Sequence, residues 1–155
     1  MKRVRPVTTV VVLVALVVGG GIWWLFFRGP SSADCAPVRE LLSFNKAQIE
    51  AMNAKTHEPA PGSYEAATEP SELDYRAWVD GLADRAAKVS AKDLVGPARD
   101  AAQTADRLVR ARLDYDAQSK HTAPGAGAPP AAMVVTAFNE QFQVQIAQLA
   151  KACPA

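Results

Sequence analysis

Two cysteines, two histidines and a scatter of carboxylates are the residues of this chain best equipped for chemistry. Cys35 and Cys153 bracket almost everything beyond the N-terminal segment, and no third thiol competes with them. In an oxidising compartment such a pair is most simply a disulfide, whose geometry requires Cα atoms within about 7 Å of each other. A zinc site takes about four ligands, and neither His57 nor His121 stands near a cysteine in sequence. Both histidines fall in polar stretches, "KTHEP" and "SKHTAP", which read as surface loops. Asp114 and Asp116 flank Tyr115, but calcium takes about six to eight oxygens, so these carboxylates read as a solvated helix end.

The motifs of known chemistries are missing. There is no H-E-x-x-H, no G-x-S-x-G, no glycine-rich phosphate loop and no inward Glu-x-x-His pair. We therefore assign no catalytic residue, no cofactor and no metal, and expect a protein that is not an enzyme. Trp78, Phe138, Phe142 and Met52 are large enough to line a pocket for an apolar ligand, although such residues are more often simply core. Asn45 interrupts an otherwise apolar helical stripe, where it is expected either to bond a neighbouring helix or to meet a ligand.

These residues need elements to hold them, and the chain supplies two kinds. Residues 7–27, "VTTVVVLVALVVGGGIWWLFF", form an uncharged run of 21. As a helix it spans roughly 30 Å, the thickness of a bilayer's hydrocarbon core. Lys2, Arg3 and Arg5 precede it, so residues 1–6 are expected in the cytoplasm and the rest outside. Trp23 and Trp24 fall where aromatic rings favour the headgroup layer. The run exceeds the usual apolar region of a signal peptide, about 7–15 residues. A single-pass plasma-membrane anchor is therefore the reading, with cleavage after Ala33 and secretion as the alternative.

After a linker at 28–34, residues 35–155 carry helical periodicity throughout. One stripe runs Cys35, Val38, Leu42, Asn45, Ile49, Met52. A second helix opens at the Ser71–Asp74 capping spacing and turns Trp78, Leu82, Ala86 and Val89 inward. Ser90 and Asp93 repeat that spacing, but Pro97 cannot sit deep in a helix, so the main third helix is placed from about Pro97 to Gln118. Pro37 is placed in the first helical turn by the same logic. Val135, Phe138, Phe142, Ile146, Leu149 and Cys153 mark the fourth. No stretch alternates as a half-buried strand does.

The fold class expected is all-α: a transmembrane helix followed by an antiparallel four-helix bundle closed by one disulfide. An even number of helices brings the first and last cysteines to one end. Four of the 17 basic residues lie in the first 28 positions, so the exported part carries 13 basic against 16 acidic residues, a formal −3. That balance argues against nucleic acid as a partner. The alanine-, valine- and arginine-rich composition is of the kind high-GC bacterial genomes encode. The function expected is that of an accessory or interaction subunit in a bacterial cell-envelope assembly, with an envelope protein as partner and no oligomeric state specified. The alternative is a carrier or sensor of a lipid-like ligand held between helices.

Overall fold

A computed structural model of the chain describes residues 30–57, 60, 66–123 and 126–154. The expected anchor at residues 7–27 lies outside them. Among the described residues no helix is long and apolar enough to cross a membrane. The described residues form four helices: α1 (Ser32–Lys55), α2 (Glu72–Lys88), α3 (Lys92–Ser119) and α4 (Ala131–Ala152). Among the described residues the only β-type pairing is a single antiparallel bridge, His57 with Thr68, which narrows the α1–α2 connection.

Two of the helix starts follow the same local chemistry. Ser31 Oγ accepts from the Asp34 backbone N–H at 3.2 Å, and the Asp34 carboxylate accepts from the Ser31 N–H at 3.1 Å. Ser71 and Asp74 repeat the arrangement at the head of α2, as their spacing predicts. Each box satisfies helix donors that would otherwise lack a partner, worth about 0.5–2 kcal/mol.

The third helix departs from expectation. Ser90 and Asp93 form no box; the cap is Ala91, with no side-chain bond, and its carbonyl accepts from Leu94 and Val95 N–H, both at 2.9 Å. Burial decides the start: Val89 and Leu94 are 4% and 3% exposed, and the three-residue link 89–91 has to put both inside. Pro97 consequently sits inside α3, and Pro37 likewise lies beyond the first turn of α1. Both stand in the second turn, where the carbonyl each leaves without a donor belongs to an exposed residue, Ala33 or Asp93. Water can serve those oxygens.

The helices form an up-down-up-down ring. Lys55 pairs with Asp74 at one end of α1 and α2, while Glu40 meets Lys88 at the other, so the two run antiparallel. Helices α2 and α3 pack together, α3 and α4 pack most extensively, and α1 and α4 close the ring with the slimmest seam. Alanines explain the tight side: Ala98, Ala101, Ala102, Ala105 and Ala111 are buried along α3 and let its neighbours approach.

A disulfide closes the loose seam. Cys35 and Cys153 are bonded, with Cα atoms 5.3 Å apart. Beside them the Arg39 guanidinium donates to the Pro154 carbonyl at 3.1 Å and to the Ser32 carbonyl at 2.9 Å, tying the chain's end to the start of α1. Val38, Leu41, Leu82, Phe142 and Leu149, each at most 1% exposed, fill the centre. In α1 it is Leu41 that is fully enclosed, and Leu42 is only partly buried.

Candidate interaction surface

The interior is organised around one polar contact. Trp78 Nε1 donates to Asn45 Oδ1 at 3.0 Å, joining α2 to α1. The same indole meets the Phe142 ring edge-on, with centroids 5.4 Å apart, so one side chain links three helices. Asn45 is 6% exposed and Trp78 4%. Their hydrogen bond is what allows a buried amide and a buried indole N–H to coexist in an apolar setting. Met52 belongs to the same core. Of the five residues considered as ligand-lining, Asn45, Met52 and Phe142 are thus packed against protein, while Trp78, buried as it is, also borders a cavity of about 140 Å³ with Leu108, Val109 and Val135. Phe138 is different. It is half-buried, and it lines a groove on the outside between α3 and α4.

That groove has a volume of about 410 Å³. Its floor is Ala111 and Ala131, and its α4 wall is Pro130, Val134 and Phe138. Arg107, Arg110, Asp114 and Gln118 stand along the α3 wall. Val134 is 45% exposed there, and Met133 beside it is 80% exposed. Asp106 holds Arg110 at 2.8 Å. Arg107 and Asp114 have no ion-pair or hydrogen-bond partner among the described residues. A second groove of about 390 Å³ lies between α2 and α3, floored by Ala83, Ala86 and Ala102 with Asp80 and Arg99 at its margins. It carries no exposed large apolar side chain.

Charge elsewhere is spent on holding helices together. Arg112 Nη2 donates to Glu69 Oε2 at 2.7 Å, and its Nε lies 3.1 Å from Asp116, so the loop before α2 is pinned to α3. Partial burial works against the Arg112 cation, but Glu69 and Asp116 outweigh it and hold the guanidinium above its ordinary range. Tyr75 nearby is pushed up, chiefly by burial. Asp116, read from sequence as a solvated terminus, is half of this network. Asp74 is held down at about 2, first by the hydrogen bond from Lys55 and then by those from Ser71.

The reagents for chemistry stay apart. His57 backbone atoms pair with Thr68, and His121 is exposed just past α3. Among the described residues no three His, Cys, Asp or Glu side chains gather into a metal-binding group. What sequence reasoning missed is the α3–α4 groove itself. Arg107, Ala111, Asp114 and Gln118 recur at steps of three and four, so their shared face is readable. Which helix stands beside that face is not encoded locally. Compared with protein-family models, curated proteins and solved structures, the chain matches none.

Proposed function

We propose that the chain is a membrane-anchored extracytoplasmic helical bundle, without catalysis of its own, that serves as an accessory or interaction subunit of a bacterial cell-envelope assembly. The observation that carries this reading is the apolar wall of the α3–α4 groove, where Val134, 45% exposed, stands one turn from the half-buried Phe138. Single exposed hydrophobes are ordinary, but a run of them along a concave surface suits a protein contact. The disulfide accords with an oxidising compartment outside the cytoplasm.

The start of α1 supports a retained N-terminal segment over cleavage after Ala33. Such a cut would remove Ser31, which caps the helix, and Ser32, whose carbonyl accepts from Arg39. In this reading residues 7–27 are retained and supply the anchor.

The test uses the full chain, tagged at its C-terminus and solubilised from bacterial membranes in mild detergent. A reproducible companion is expected, and Val134→Glu should lower its recovery at least tenfold. Val144→Glu, at another exposed apolar position of α4, should leave it unchanged. A chain that holds neither another protein nor a second copy of itself, or a companion indifferent to Val134, overturns the reading. The lipid-carrier alternative has less to draw on, because Asn45, Phe142 and Met52 are buried in the core and the cavity that Trp78 borders holds only about 140 Å³. A lipid of constant mass retained in native mass spectra would favour it instead.

A further inference from the structure

Arg107 and Asp114 line the same groove, yet neither is paired, although their neighbours on α3 are: Asp106 holds Arg110, and Asp116 holds Arg112. Seven residues apart, they share a helix face and stand about 10 Å from each other along the axis, too far to pair within one chain. The groove therefore presents an unpaired cation toward the cysteine end, an unpaired anion toward the other, Arg110 between them already neutralised by Asp106, and an apolar strip, Val134 and Phe138, alongside. A surface with this polarity is complementary to itself when turned end for end.

We infer that the α3–α4 groove is a homotypic interface, and that its occupant is the same groove of a second copy. A two-fold axis perpendicular to α3, passing near Arg110 and Ala111, sets Arg107 of each copy opposite Asp114 of the other. It also lays the two Val134–Phe138 strips together. Such an isologous contact uses every residue twice. The apolar strip supplies adhesion, and the two ion pairs fix the register. The operation sends the cysteine ends of the two copies in opposite directions. Copies anchored in one membrane then lie along its surface, with the two-fold upright. The inference rests on the reading of this face as a docking surface and names its partner.

The experiment uses the full chain in membranes, with a benzophenone-bearing phenylalanine analogue replacing Val134. Irradiation is expected to give an adduct of two chains, with the cross-linked peptide falling within residues 107–138 of the second copy. Arg107→Asp and Asp114→Arg should each lower the yield at least fivefold, because each change places like charges together twice. The double variant Arg107→Asp/Asp114→Arg should restore it to within twofold. Retention of the disulfide and of helical circular dichroism shows that the variants fold. The inference is overturned if no two-chain adduct forms, if either single variant cross-links like the parent, or if the double variant stays as weak as the singles. An adduct with a different protein alone would end the homotypic inference and leave the docking reading standing. No adduct with any protein would end both.

Discussion

Replacing Asn45 by alanine would strand the Trp78 indole N–H, which donates to Asn45 Oδ1 and to no other described residue. A buried donor left without an acceptor costs about 1–3 kcal/mol. Asn45→Ala should lower the unfolding free energy in urea titrations by that amount. Trp78→Phe should cost at least as much, since it strands the amide and thins the packing on Phe142. Asn45→Ala with Trp78→Phe should then cost less than the sum of the two single changes, which is how a shared hydrogen bond shows itself. At the surface Asp74 offers a pH test. Its pKa lies near 2 in the folded protein against an ordinary 3.8. A depressed carboxyl stabilises the fold above the unfolded value, and that stabilisation is lost as pH falls from about 4 toward 2. Stability curves of the parent and of Asp74→Asn should therefore converge over this interval. Curves that stay parallel would mean that the Lys55 and Ser71 contacts contribute nothing.

Among the elements, α1 and α2 come together at a notch where the Phe44 ring fills the space a Cβ at Gly81 would take. A Cβ at Gly81 would overlap Phe44 Cζ, and the Arg85 guanidinium lies over the same ring at 3.8 Å. Alanine is the better helix former by roughly 1 kcal/mol. The ring would nonetheless have to leave both its pocket and its cation, so Gly81→Ala should give a net loss of about 1–2 kcal/mol in thermal or urea unfolding. This notch was not legible in the sequence, since nothing local says that Phe44 faces Gly81. Local rules did well where the chemistry is local: the box at Ser71 and Asp74, and the stripes through Trp78, Leu82 and Ala86, stand where spacing puts them. They failed where packing outbid them. Three-and-four spacing chose Leu42 over Leu41, but α1 touches both α2 and α4, and the residue between those two contacts is the one enclosed. At α3 the need to bury Val89 and Leu94 moved the start ahead of Pro97 and left Ser90 idle. The exposed groove was the least readable feature, because each of its walls belongs to a different helix.

For the molecule as a whole, the seam between α1 and α4 has the least packing and the only covalent tie. The bond joins positions 118 apart, and on the chain-entropy account a loop of that size is worth about 5 kcal/mol. Cys35→Ser with Cys153→Ser should lose up to that amount in urea unfolding while keeping its helical spectrum, because the α1–α2, α2–α3 and α3–α4 packing does not depend on a covalent tie. The sulfurs lie in residues 3% and 1% exposed. Thiol labelling in the presence of reductant should therefore be slow in buffer and should accelerate once urea opens the seam.

The same bridge decides how the protein answers a pull. Tension entering at the N-terminus and leaving at the C-terminus crosses from one sulfur to the other, and the helices between them carry none of it. Reduced, the same chain would have 118 residue steps to pay out under load, roughly 400 Å when fully drawn. Stretched by its ends, the oxidised domain is a short, stiff link, and a force-extension trace would register it as almost nothing at all.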